Sequence, residues 1–400
     1  MRNRIERHRN WLAQHDPDTF ESYEKDPKRW RRVSVIVGNG FDLSVFARYG
    51  KAPTTSYTSF YYYLRSVGIG EDNCLVAKMK ERKDTHDDWS DFESAIDEIK
   101  SGSVGGGAKL LEDLVEIQEL FSRYLSLVVT PDLVNILDRE SREWKWAYRT
   151  FSQFAADLSS VQYPDVLFFD NLNHRDIFAF DVFNLNYTSL LDTYLFLDRE
   201  QFRPRQYKSS DRNFEFRINP RDYKHNWGCG RNTGCSAYIL TDIHHPHGTQ
   251  SVPRSLLFGT GETSYNDSFG KPYWAQLDRK YGRIIGQANL FIVFGCSLGE
   301  TDRWWWRKIA ERLVLDDEVD LLIYQWVRDG KDREGVREKT RQAFAKFVNE
   351  YLAEETDGRV QVMDVMNKVF VIAYGDSRYI SAFGFREEVY DPWERGELVD

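Results

Sequence analysis

Short apolar runs rich in β-branched and aromatic residues recur along this chain, and segments with helical spacing separate them. The first is Val33–Val37, closed by Gly38-Asn39-Gly40. IFAFDVFNLNY (177–187), AYILTDIH (237–244), RSLLFG (254–259), NLFIVFGCS (289–297), DLLIYQW (320–326) and KVFVIAYG (368–375) follow. Runs this short, apolar on both of their faces, are the pattern of strands buried in a parallel sheet. Helical spacing between them predicts a doubly wound, mostly parallel α/β fold. LLDTYLFL (190–197), a Trp-rich stretch after 297 and a segment running to about 350 supply helices of that alternation.

One block breaks the alternation. Thr54 to Leu64 and Asp91 to Lys100 are helix-like, and SGSVGGG (101–107) reads as a connector. Leu110, Leu111, Leu114, Val115, Ile117, Leu120, Phe121 and Tyr124 recur at three-to-four spacing, the stripe of an amphipathic helix. Thr130-Pro131 opens another helix, with proline in its first turn, and the pattern continues toward Leu158. The expectation is a helical insertion at about 60–160 within an α/β domain spanning 33–400. A charged helical extension at 1–32, with Trp11, Phe20, Tyr23 and Trp30, offers a face to a partner subunit.

Composition narrows the class. With 400 residues, 41% of them hydrophobic, the chain can bury one large core or two ordinary ones. No apolar run approaches the roughly 20 residues of a bilayer span, and MRNRIERHRN is too polar for a signal peptide, so no membrane role and a cytoplasmic location are expected. Cys74, Cys229, Cys235 and Cys296 are scattered, which suits a reducing compartment. A net charge of -9 argues against a surface built to grip nucleic acid, and Arg2, Arg4, Arg7 and Arg9 read as a solvated helix face.

In an open parallel sheet, ligands bind beyond the carboxyl ends of the strands. Four such places carry small or polar residues: Gly38-Asn39-Gly40-Phe41-Asp42, Asn184-Leu185-Asn186-Tyr187-Thr188, His244-His245-Pro246-His247-Gly248, and Gly295 to Asp302 with Ser297 and Glu300. Each alone is compatible with a turn or a helix cap. Their recurrence after successive strands favours convergence on one ligand. The first turn lacks the third glycine of the dinucleotide fingerprint and carries an acid, Asp42, near the place where a phosphate would sit. That carboxylate must turn away or pair with a residue such as Arg48.

GNGFDL, PTTSYTSF, WSDFE, NYT, HPHG, LLFG and FGCSLGETD, in that order, resemble the AbiH family of bacterial phage abortive-infection proteins, over about residues 33 to 306. Leu185 stands where that family usually has Phe and Cys296 where it has His, and 200–236 has no clear counterpart. The motif order is similar, more distantly, to sirtuin-like, Rossmann-like domains of other phage-defence proteins. The resemblance implies NAD as substrate. Gly38 and Gly40 would approach the pyrophosphate, Ser297 and Asp302 would hold the adenosine side, and Asn186 and His247 would face the nicotinamide ribose as catalytic residues. Phage defence in turn implies a phage-derived trigger and a homo-oligomer or partner defence protein.

Other readings stay open. Asp42, Glu93, His247 and Asp302 could converge as magnesium ligands in a nuclease or phosphodiesterase, or the chain could be a nucleotide sensor without turnover. His225, Cys229, Cys235 and His245 could bind zinc, although Cys-x5-Cys departs from the usual knuckle. The run Trp304-Trp305-Trp306 suggests one core face and one exposed face suited to an oligomer contact. Trp89 and Phe92 read as anchors of the helical insert, with Asp91 and Glu93 capping its helix.

Overall fold

The computed structural model describes residues 30–387 except 84–91, 103–106, 160, 170–171, 173–175, 199–213, 218–233, 262–266, 355–359 and 376–379. Residues 1–29 of the expected extension, His225, Cys229, Trp89, Asp91 and most of 200–236 therefore lie outside the described residues, while Trp30, Arg31 and Arg32, expected in that helical extension, instead open the first strand.

Seven strands form one sheet in the order β3-β4-β2-β1-β5-β6-β7. They are β1 (Trp30–Val37), β2 (Ile177–Asn184), β3 (Phe214–Arg217), β4 (Gly234–His244), β5 (Leu290–Phe294), β6 (Asp320–Trp326) and β7 (Val369–Tyr374). All pairings are parallel except that of β3 with β4. The doubly wound α/β fold expected from the alternation is the fold observed. β3 was not anticipated: Phe214-Glu215-Phe216-Arg217 alternates apolar and polar residues, but four residues inside a polar stretch are too short a run to stand out. RSLLFG (254–259) is not a strand: Pro253–Ser255 form a 3-10 turn, and the Leu257 amide is committed to the His247 carbonyl (2.9 Å) instead of a ladder.

Residues along the strands alternate between two cores. Val33, Val35 and Val37 of β1 and Leu290, Ile292 and Phe294 of β5 enter one, while Ile36, Phe291 and Val293 enter the other. The first face is covered by α1 (Gly40–Arg48) and by the helices that separate β1 from β2. These are α2 (Tyr57–Ser66), α3 (Cys74–Lys83), α4 (Phe92–Gly102), α5 (Gly107–Val128), α6 (Pro131–Trp144) and α7 (Trp146–Gln153); α8 (Leu190–Leu195) lies on the same side. α3 had no clean stripe in the sequence. α6 begins as its sequence dictates, with the Thr130 hydroxyl accepting from the Leu133 amide (3.3 Å) and proline in the first turn. The short helices α9 (Lys271–Trp274), α10 (Leu277–Lys280) and α11 (Gly282–Gly286) precede β5, and α12 (Arg303–Leu315), α13 (Arg333–Glu354) and α14 (Val362–Met366) follow it. α10 to α14 contribute to the second core.

The three tryptophans at the start of α12 are all buried, at 5%, 1% and 0% exposure, so no exposed remnant is left for an oligomer contact. Trp305 packs on Phe183 and Tyr281, and the Trp306 indole N–H donates to the Gly299 carbonyl (3.0 Å). Neighbours cover α12 on more than one side, which a one-dimensional stripe could not foretell. Among the described residues no single helix is long and apolar enough to cross a membrane.

The turns after β1 and β5 touch backbone to backbone. The Gly38 amide donates to the Phe294 carbonyl (2.9 Å) and the Gly40 amide to the Gly295 carbonyl (3.0 Å). A Cβ on Gly40 would stand 2.6 Å from the Gly295 Cα. Gly40→Ala is therefore expected to destabilise the protein by about 1–3 kcal/mol, since neither backbone can yield without moving a central strand. Urea unfolding measures this, and an unchanged midpoint would refute the close-packing account.

Candidate functional site

β1 lies between β2 and β5, so the direction of winding reverses at β1 and the loops leaving its neighbours part to form a crevice. The register fixes their level: Val37 pairs with both Asn184 and Phe294, and Phe183 with His244. The segments that follow leave the same edge of the sheet and line a cavity of about 690 Å³. Gly38, Asn39, Asp42, Asn186, Tyr187, Thr188, His247, Gly295, Ser297, Glu300 and Asp302 of the expected site all line it. Phe41 and Gly248 do not line it. Phe41 is fully buried, with its ring against Tyr194 and Phe294. Gly248 shapes the loop: its φ is +87°, and a Cβ there would meet the Ser255 carbonyl oxygen at 2.0 Å. Gly40 is likewise absent from the lining, its space being taken by Gly295.

The helical insert supplies the opposite wall through Thr55, Ser56, Tyr57, Glu93, Ser94, Phe121 and Leu125. Thr55 donates from its hydroxyl to the Asn39 side-chain oxygen (2.8 Å), joining insert to turn. Asn186 is 4% exposed, and its side-chain amide donates to the Gly38 carbonyl (3.2 Å) while its backbone N–H donates to the Asn184 side chain (3.0 Å). These bonds hold Asn186 between the β1 and β2 turns. The Tyr187 hydroxyl donates to the Leu257 carbonyl (3.1 Å), and burial raises its pKa well above the usual phenol value.

The strongest electrostatic feature is a lysine that no motif in the sequence marked. Lys271, 1% exposed at the start of α9, places its ammonium 2.8 Å from Glu93 Oε2 and 2.9 Å from Asp302 Oδ1. Burial alone would lower its pKa, but Asp302 and Glu93 outweigh burial and raise it. Burial likewise opposes ionisation of Asp302, but Lys271 prevails and keeps it a carboxylate. Glu93, in the first turn of α4, thus pairs with Lys271 at the wall of the cavity. His247 Nε2 lies 3.5 Å from the same Asp302 oxygen. Burial, and then the Lys271 charge, push the imidazole down to about 4, so it is neutral at physiological pH.

Asp42 is not paired with Arg48, whose guanidinium binds Glu140 (3.2 Å) and Glu387. It accepts a hydrogen bond from the Thr188 hydroxyl instead (2.7 Å). Ser297 and Glu300 sit at the exposed rim, where Glu300 pairs with Lys346. The Cys296 side chain packs beside the Ile36 and Phe294 carbonyls, and burial raises its pKa far above the usual thiol value, so it is not a thiolate. Among the described residues no three His, Cys, Asp or Glu side chains are grouped so as to hold a metal ion. Asp42, Glu93, His247 and Asp302 share the cavity, but the Lys271 ammonium stands between two of them. His245, from the expected zinc group, bonds to Asp192 (2.9 Å).

No curated protein matches the chain. A family model for bacteriophage abortive infection AbiH matches residues 35–324, from β1 to β6, which takes in the cavity and the helical insert. The chain belongs to the AbiH family of bacteriophage abortive infection proteins.

Proposed function

We propose that this protein acts in abortive infection by binding NAD in the cavity at the switch point and hydrolysing the bond between nicotinamide and ribose. The observation that carries the reading is the convergence of Asn186 and a neutral, buried His247 on a cavity walled by carboxylates. The volume falls within the roughly 300–1,000 Å³ of small-molecule sites.

The charge pattern suits the reacting end of NAD. Nicotinamide leaves from a cationic state, and the ribose passes through an oxocarbenium-like transition state. Asp302 and Glu93 carry negative charge into a site where Lys271 is the one lysine of the lining among the described residues, favouring positive charge that develops there. Asn186 can orient the ribose hydroxyls, and the uncharged His247 can accept a hydrogen bond or a proton from one of them.

Incubation of the purified protein with NAD, with and without EDTA, tests the reading through release of free nicotinamide. Release that persists in EDTA is expected, because none of the assigned residues acts through a metal. Absence of release at any pH removes the hydrolase. A reduced plaque count in cells carrying the gene with its neighbours tests the defence role separately.

A further inference from the structure

Asp42 occupies the first turn of α1 and lines the cavity, yet it is only 1% exposed. Its Oδ2 accepts from the Thr188 hydroxyl, while Oδ1 is buried and has no hydrogen-bond partner among the described residues. Leaving a buried carboxyl oxygen unmatched is costly, so its presence at the wall of the cavity calls for a physical reason. Thr188 is held in its turn. Its carbonyl accepts from the Asn184 side chain and its hydroxyl oxygen from the Leu190 amide, each at 3.4 Å. The hydroxyl proton is thereby committed to Oδ2, and Oδ1 is the oxygen left to exchange a proton.

Among the described residues no cation is paired with this carboxyl. Arg48, on the same helix, is turned to Glu140 and Glu387, and Lys271 across the cavity is held by Glu93 and Asp302. The charged neighbour acting on Asp42 is Asp192 of α8, itself bonded to His245. Burial first, and then Asp192, push Asp42 up to about 7 against the Thr188 bond, so the group changes protonation near the pH of a cell. His247 does not, having been driven down to about 4.

We propose that Asp42 is the general base of the cavity, its Oδ1 taking the proton of the attacking water. This rests on the hydrolase reading above. In the step, a water O–H bond breaks and its proton passes to Oδ1 as the water oxygen bonds to the anomeric carbon. The bond from that carbon to the pyridinium nitrogen breaks, its electron pair stays on nitrogen, and nicotinamide leaves neutral. The proton on Asp42 is then lost to solvent.

The test compares nicotinamide release by wild type and Asp42→Asn from about pH 5.5 to about pH 8.5. Asparagine keeps the shape and can still accept from Thr188. Wild-type kcat/KM is expected to rise through an acid limb near neutrality, and Asp42→Asn to lose about 10²-fold or more at the plateau and the limb with it. A second readout does not need turnover. Folding raises the Asp42 pKa from 3.8 to about 7, so the folded wild type binds the extra proton and loses stability as pH rises through that window. The asparagine variant has no such loss, so the melting temperature of Asp42→Asn minus that of wild type should grow from about pH 5 to about pH 8. A folded variant with release within a few-fold of wild type overturns the inference and leaves the hydrolase standing. So does a wild-type profile without the acid limb, which decides the matter if the variant fails to fold. No release from wild type at any pH removes hydrolase and base together.

Discussion

Asn186→Ala and His247→Ala are each expected to lower nicotinamide release by about 10²-fold or more while changing NAD affinity much less. Both side chains act on the reacting ribose, so their contribution appears mainly in the transition state. Asn186 is pinned by its bonds to Gly38 and Asn184, and His247 by burial beside Asp302, so neither must reorganise during the reaction. kcat and NAD binding measured separately, with melts to confirm folding, check the pair. Full release from both folded variants would place the chemistry elsewhere in the cavity. Because His247 is neutral above about pH 4, its loss should lower the rate without moving the acid limb assigned to Asp42.

Lys271→Met should unfold the protein far more readily, by about 3–5 kcal/mol, because it leaves the Glu93 and Asp302 carboxylates facing each other without their shared cation. The bridge joins α4 of the helical insert, α9, and the turn after β5, so its loss loosens the wall of the cavity from the sheet. Adding Glu93→Gln removes one stranded charge and should recover part of the loss, a coupling that a double-mutant cycle in urea measures directly. Equal midpoints for wild type and Lys271→Met would show that the bridge contributes nothing to holding the insert in place. The single variant also removes a charge that depresses the His247 pKa, so that group should titrate at higher pH.

Much of the architecture is written locally. Alternation of apolar strands with helical stripes is decided by side chains two, three or four positions apart, so β1, β2, β4, β5, β6 and β7, the long α5, and the Thr130 cap of α6 are legible without the fold. The positions after β1, β2, β4 and β5 are legible as well, because a parallel sheet presents its carboxyl ends on one edge. Motif order supported the family for the same reason, since it records which turn follows which strand.

What the tertiary structure decided are the pairings between residues remote in sequence. Lys271 and Glu93 are 178 positions apart, and neither stretch carries a pattern that announces the other. Gly40 reads as a phosphate turn until Gly295 is seen against it. Asp42 reads as a misplaced acid in need of Arg48 until burial and Thr188 turn it into a carboxyl that titrates near 7. The tryptophans of α12 read as half exposed until neighbouring elements close over them. Periodicity assigns a residue to a face. Whether that face meets water, backbone or an opposite charge depends on what the chain brings there from elsewhere, and in this protein that choice sets the protonation of Asp42, His247, Lys271 and Asp302.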